Sequence, residues 1–263
     1  MKRLAVLGYP VSHSRSPAMQ NAALAELGLA DEWTYEAIEA SPDEFEARVR
    51  AMPGEGFVGA NVTVPHKGAA LALADSLTET AREIGAANTL SFADGEIQAD
   101  NTDAQGLLDA LPEPPLGKRA LVLGAGGAAR AIVWSLLREG AEVEVWNRTE
   151  LRSRHLCEEL GGQPVAAPDP SAYRIVVNST AVGLHGEDPF AELPLRAEAF
   201  TAEQVVVDMV YGAEPTAFLA AAGAAGARTV DGLEVLVRQG AHSLRIWTGR
   251  EPPLDTMRAA ARL

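Results

Sequence analysis

The residue whose type and position point most directly to chemistry is a lysine. The stretch "NVTVPHK" runs strand-forming residues into Pro65 and ends on Lys67. The chain of 263 residues holds three lysines against nineteen arginines, and the other two are Lys2 and Lys118. An arginine stays charged, whereas a desolvated lysine shifts toward neutrality and can give up a proton. A group that protonates a carbonyl oxygen while the carbon receives hydride needs that ability. Asp103, in "DNTDAQG", is the candidate partner, because a carboxylate beside Lys67 would keep it charged and oriented. The plainer alternatives are a surface lysine and a helix-capping aspartate. His66 and His13 flank turns and read as structural.

Two further groups of residues suit ligands. Ser12, Ser14 and Ser16 crowd into "PVSHSRSPAMQ" ahead of a helical run. Hydroxyls together with the N–H groups of a helix N-terminus form a carboxylate site without net positive charge. Ser16 is also expected to cap that helix, with Pro17 at its first position. In "LVLGAGGAARA", Gly124-x-Gly126-x-x-Ala129 follows a strand and opens a helix, the context that a dinucleotide fingerprint requires. Gly124 permits the tight turn, Gly126 and Gly127 let backbone approach a pyrophosphate, and the helix dipole favours the anion. The next strand ends at Asn147-Arg148-Thr149, where an NAD site usually carries an acidic residue. No carboxylate there would repel a 2′-phosphate. Arg148 can pair with it, Thr149 can donate to it, and Arg152 adds charge, so the pattern favours NADP.

These residues need a frame, and strand and helix signals alternate throughout. The first half reads as strand, helix, strand, helix, strand, two short helices, and a hairpin at Asp94-Gly95. "PEPPLGK" breaks the pattern, which then restarts with "RALVLGAGG", "AEVEVWNR", "YRIVVNST" and "QVVVDMVYG" as strands between helices. A short strand, "RTVDG", and a helical tail follow. Such alternation predicts parallel sheets covered on both faces, here in two α/β domains.

Composition excludes several classes. The formal charge of −14 opposes non-specific binding to nucleic acid or an anionic membrane. No apolar run reaches the roughly 18 residues of a membrane span. The N-terminus lacks the apolar length and cleavage site of a signal peptide, and the single Cys157 allows no internal disulfide. A cytoplasmic protein is expected, with Cys157 a structural thiol. A homodimer is left open. The sequons at Asn61, Asn147 and Asn178 then call for a reading other than glycosylation.

"GYPVSHSRSP", "NVTVPHK", "AANT", "DNTDAQG", "GAGGAARA", "NRT", "NSTAVG", "DMVYG" and "DGLEVLVRQGA" resemble, in order, the motif series of the shikimate dehydrogenases. The resemblance spans residue 8 to about 240 and is most specific in "NVTVPHK" followed by "NTD". It implies NADPH-dependent, reversible reduction of 3-dehydroshikimate to shikimate in aromatic amino-acid biosynthesis. It also implies a substrate-binding catalytic domain with a mostly parallel sheet, residues 1–102 with 238–263. Residues 103–237 would be the Rossmann-type NADP domain, with the active site in the cleft between the two. Hinges are expected near residues 103–111 and 232–239.

By the same resemblance, Lys67 and Asp103 form the acid–base pair. Ser14 and Ser16 hold the substrate carboxylate, with Tyr211 close to it, and Asn61, Thr63, Asn88 and Gln239 bind hydroxyls or position the ring. Gly126, Ala128, Asn147, Arg148, Thr149 and Arg152 hold the cofactor, and Thr180, Ala181, Val210 and Gly232 lie near its ribose and nicotinamide. The chain departs from the family pattern at Gln20-Asn21 in place of His-Asn, Gly212-Ala213 in place of Asn-Pro, and Val235 where Met is common. The first two point to packing, the third to a softer nicotinamide contact. Competing readings are a broader quinate/shikimate dehydrogenase that also takes quinate or NAD, a folate-processing dehydrogenase, and a non-catalytic NADP-binding protein.

Overall fold

The computed structural model describes residues 1–212 and 214–263, so Ala213 lies outside the described residues. The chain divides into two compact units, Met1–Gly106 with Leu236–Leu263, and Leu107–Val235.

The first unit runs β1 (Lys2–Gly8), α1 (Ser16–Glu26), β2 (Trp33–Glu39), α2 (Phe45–Ala51), β3 (Phe57–Val62), α3 (Lys67–Leu73), β4 (Ser76–Leu77), α4 (Glu79–Ile84), β5 (Thr89–Ala93) and β6 (Glu96–Asp100). Helix α5 (Asp103–Ala110) begins here and ends in the second unit. The strands pair in the order β2-β1-β3-β5-β6-β4. β1 pairs in parallel with β2 and β3, whereas β5 is antiparallel to both β3 and β6. The antiparallel step has a local cause. Asp94 at φ 53° and Gly95 at φ 82° make a two-residue hairpin turn, and a turn that short joins only antiparallel strands. Leu7, Phe45, Met52, Ala60, Val62 and Leu90 are central in its core.

The second unit runs β7 (Arg119–Leu123), α6 (Gly127–Arg138), β8 (Glu142–Trp146), α7 (Glu150–Leu160), β9 (Gln163–Pro164), β10 (Ile175–Asn178), α8 (Pro189–Glu192), β11 (Val205–Asp208), α9 (Ala217–Ala224) and β12 (Arg228–Val230). Helix α10 (Gly232–Thr248) starts here and ends in the first unit, followed there by α11 (Leu254–Ala261). The sheet order is β12-β11-β10-β7-β8-β9, with every neighbouring pair parallel. Counted from β7 as first, this is the 3-2-1-4-5-6 order of the dinucleotide-binding fold, whose topological switch lies between β7 and β10. β10 and β11, "IVVN" and "VVVD", are fully buried, as central parallel strands covered on both faces must be.

The proline-rich break before β7 is anchored by charge. Glu113 accepts from Arg228 at 2.7 Å, Lys118 at 3.1 Å and Arg174 at 3.1 Å. The Arg228 guanidinium first, then Lys118 and Arg174, pull its carboxyl down to about 2.

Two expectations are corrected, and two short strands are added. α1 begins at Ser16 itself, with Arg15 at the N-cap and no side-chain cap, because the Ser14 hydroxyl accepts the Ser16 N–H at 3.3 Å instead. "SPDEFEARVRAM" reads as a second helix opened by Ser-Pro, at Ser41-Pro42, but it reaches helix only at Phe45, since Ser41 bonds the Glu44 carboxylate from both its N–H and its hydroxyl. β4 and β9 are two-residue strands, too short to leave a periodic signal.

Candidate active site

Lys67 opens α3 and Asp103 opens α5, and the fold of the first unit brings these two helix starts together. Lys67 Nζ lies 2.6 Å from Asp103 Oδ2, and the two side chains are 11% and 8% exposed. The reading of Lys67 as a surface lysine is thereby excluded. The reading of Asp103 as a capping side chain fails too. The side chain that turns the chain into α5 is Asn101, whose Oδ1 accepts the Asp103 N–H at 3.0 Å while its Nδ2 donates to Ala86 O at 2.8 Å. Neighbouring His66 stacks on Phe45 at 4.3 Å and places Nε2 2.8 Å from Ala40 O, which is a structural role.

The other oxygen of Asp103 is held as well. Asn88 Nδ2 lies 2.9 Å from Asp103 Oδ1, 3.0 Å from Thr102 Oγ1 and 3.1 Å from Gln239 Oε1. Its Oδ1 accepts the Thr102 N–H at 2.7 Å, so the amide orientation is set by its surroundings. Asn61 extends the network. Its Oδ1 accepts from the Tyr35 hydroxyl at 2.8 Å and its Nδ2 donates to Ser243 Oγ at 2.8 Å. Ser243 sits one helical turn beyond Gln239 and lies 3.0 Å from Thr89 Oγ1 and 3.1 Å from Thr102 Oγ1. All these groups are buried. Buried polar atoms that satisfy one another fix their rotamers and present a pre-shaped polar surface.

Tyr35, Thr89, Asn101, Thr102 and Ser243 were not singled out from the sequence. Asn101 and Thr102 lie inside "DNTDAQG", and Ser243 is at i+4 from Gln239, so helical spacing could have flagged it. Tyr35 carries no such signal. It is pinned by Asn21, which bonds both its N–H and its carbonyl. Gln20, the other half of that departure from the family pattern, donates Nε2 to Gly240 O at 3.0 Å.

Ser16 is buried, while Ser14 and Thr63 are half-buried. Thr63 packs so closely on β1 that a Cβ on Gly8 would come within 2.5 Å of its methyl. A Cβ on Gly106 would come within 2.7 Å of the Gln239 backbone N, so α5 crosses α10 at the turn that carries Gln239.

The second unit assembles the remaining residues. Gly124 follows β7 at φ 112°, and Ser179 Oγ donates to Leu123 O at 2.7 Å on the β10 side of the topological switch. A Cβ on Gly124 would come within 2.7 Å of Ser179 Oγ. Gly126 is the N-cap of α6, which begins with Gly127 and Ala128, leaving the first N–H groups of a twelve-residue helix available at the turn. At the end of β8, Asn147 Nδ2 bonds Thr149 O at 2.9 Å, and Arg148, Thr149 and Arg152 are exposed.

Thr180 and Ala181 follow β10, Val210 and Tyr211 follow β11, and Gly232 opens α10, where a Cβ would come within 2.6 Å of Met209 O. Tyr211 thus belongs to this unit, whereas Ser14 and Ser16 belong to the first. Val235 is 1% exposed and packs in the core of this unit, so the substitution noted there is one of packing. Burial pushes the Cys157 thiol up to about 11, consistent with a structural thiol.

A buried lysine–carboxylate pair in one α/β unit and a Rossmann-type nucleotide turn in the other define a pyridine-nucleotide-dependent dehydrogenase as the class. Family models agree in three segments: the shikimate dehydrogenase substrate-binding domain over residues 6–90, shikimate/quinate 5-dehydrogenase over 112–181, and the shikimate 5′-dehydrogenase C-terminal domain over 232–262. A shikimate dehydrogenase (NADP(+)) of Anaeromyxobacter is 46% identical over 97% of this chain and 94% of its own. One from Thermus thermophilus is 46% identical over 100% and 98%.

Among solved structures, the Thermus thermophilus shikimate 5-dehydrogenase in complex with NADP(H) and shikimate superposes with a TM-score of 0.92 at 44% identity, covering 100% of this chain and 99% of that one. The ligand-free 5-ketofructose reductase of a Gluconobacter strain superposes at 0.87 and 32% identity, covering 99% and 97%. The chain belongs to the shikimate dehydrogenase family.

Proposed function

We propose that the chain catalyses the reversible, NADPH-dependent reduction of 3-dehydroshikimate to shikimate, a step of aromatic amino-acid biosynthesis. The observation that carries this reading is the buried contact between Lys67 and Asp103, with Asn88 holding the second carboxylate oxygen. Bound NADPH supplies the hydride. Lys67 gives its proton to the carbonyl oxygen of the substrate and takes it back in the reverse direction, and Asp103 keeps the ammonium aimed.

The substrate is a small polyhydroxylated acid. Ser14 and Ser16 at the start of α1 take its carboxylate by hydrogen bonding, which suits a protein whose overall charge of −14 repels anions. Tyr211 is a further group proposed for that carboxylate. Asn61, Thr63, Asn88 and Gln239 take its hydroxyls. A site built this way should reject analogues lacking a hydroxyl by on the order of 10⁴-fold.

Gly124, Gly126, Gly127 and Ala128 take the cofactor pyrophosphate. Asn147, Arg148, Thr149 and Arg152 take the adenosine 2′-phosphate, and Thr180, Ala181, Val210 and Gly232 face the nicotinamide riboside. Residues 1–102 with 238–263 would then serve as the substrate domain and 103–237 as the NADP domain. A cytosolic location completes the reading, and a homodimer is left open.

The test follows the absorbance of reduced nicotinamide with shikimate and NADP, and again with quinate and with NAD. Turnover with shikimate and NADP well above the other three combinations is expected. Preference for quinate would move the assignment to the broader quinate/shikimate activity, and no turnover with any combination would refute it.

A further inference from the structure

Asp208, at the end of β11, is a carboxylate only 1% exposed that the proposed mechanism leaves unused. Among the described residues its hydrogen-bond partners are all neutral. Its Oδ1 accepts from Asn178 Nδ2 at 2.9 Å and from the Val210 N–H at 3.1 Å, and its Oδ2 accepts from the Thr216 hydroxyl at 2.6 Å. A buried charge without a cation is costly, and burial pushes this carboxyl up to about 6. Leucine or valine there would pack at less cost, so the position calls for a reason.

The bonds supply one. Asn178, at the end of β10, uses its Oδ1 to accept the Thr180 N–H at 3.1 Å and the Thr180 hydroxyl at 2.7 Å. Thr180 Oγ1 in turn accepts the Val182 N–H at 3.1 Å. One amide–carboxylate contact therefore fastens two loops at once: the loop of Thr180 and Ala181 after β10, and the loop of Val210 and Tyr211 after β11. Thr216 ties the far end of the second loop. Of these groups Val182, Asp208, Val210 and Thr216 border a cavity of about 230 Å³, whose walls also include Tyr211 and Phe218.

We propose that Asn178, Asp208 and Thr216 form a positioning clamp that sets the nicotinamide end of the cofactor site and leaves its 2′-phosphate end alone. The inference rests on the NADP reading above, in which both clamped loops face the nicotinamide riboside.

Calorimetric binding of two ligands tests it: NADPH, which spans the whole site, and 2′,5′-ADP, which carries only the adenosine end. In Asp208→Ala, NADPH should bind about tenfold more weakly or worse, with 2′,5′-ADP within about twofold of the parent protein. Asp208→Asn keeps an acceptor for Val210 and a neutral bond to Thr216, so it should restore NADPH binding. Thr216→Val, a milder change that decides the matter if Asp208→Ala does not fold, should weaken NADPH selectively by a few-fold, on the order of one neutral hydrogen bond. Equal weakening of both ligands, or unchanged NADPH affinity in these variants, overturns the clamp. A parent protein that binds neither ligand overturns the NADP reading, and the clamp with it.

Discussion

The polar residues of the two units solve opposite problems. In the first unit Lys67, Asp103, Asn88, Asn61 and Gln239 are buried and bonded to one another before any ligand arrives. In the second, Arg148, Thr149 and Arg152 stand exposed, and α6 offers backbone N–H groups. The difference follows from what each set is proposed to hold. Proton transfer needs donors fixed to within a fraction of an ångström, and only a buried, mutually satisfied network fixes them. A phosphate carries enough charge to order flexible arginines by itself.

The contrast breaks most sharply at Lys67. Lys67→Gln keeps a donor toward Asp103 but has no proton to release, so kcat should fall by roughly 10²–10⁴-fold while NADPH affinity holds. Steady-state rates beside calorimetric binding would check both halves, and retained turnover would end the acid–base role. Arg148→Ala should instead raise the KM for NADPH by about 10–100-fold with kcat little changed, and narrow the preference over NADH. A fall in kcat alone would mean that the exposed arginine is not a binding group.

Asp208 offers a comparison with Asp103, since one buried carboxylate bonds a cation and the other, among the described residues, bonds neutral groups. Its folded pKa of about 6 stands above the ordinary 3.8, so the fold favours the protonated acid. Stability from this group is therefore full below about pH 4, falls as pH rises through 6, and is gone above it. The loss is about 3 kcal/mol. Asp208→Asn should flatten that part of the curve and leave the protein more stable than the parent at pH 7, as urea unfolding at several pH values would reveal. A variant less stable at pH 7 would mean that the ionised carboxylate strengthens its three hydrogen bonds by more than burial costs.

The smallest effect is expected at Ser243. Ser243→Ala removes one acceptor from Asn61 and should raise the KM for shikimate a few-fold, with cofactor KM unchanged and about 1 kcal/mol lost in stability. Equal shifts in both KM values would point to a general loosening of α10 instead.

Much of the site was legible because its chemistry is local. A lone lysine after a strand, glycines at a strand–helix turn, and an Asn-Arg-Thr where an acidic residue is usual each speak within a few residues. The alternation of strands and helices announced two α/β series for the same reason: periodicity is a short-range property. The mixed sheet was half legible, since Asp94-Gly95 declares its hairpin, while β4 and β9 are too short to declare anything.

Other features depend on chain segments far apart. That Lys67 and Asp103, 36 residues apart, meet at 2.6 Å depends on α3 and α5 starting side by side. Asn61 finds Ser243 across 182 positions, and Asn178 finds Asp208 across 30. Nothing in "WTYEAIE" marks Tyr35 as the partner of Asn61. Residue type and spacing along this chain thus singled out which groups are candidates for chemistry. Packing settled which of them touch, because a buried polar atom takes whichever partner the surrounding strands and helices bring within reach, and that choice is made in space rather than along the chain.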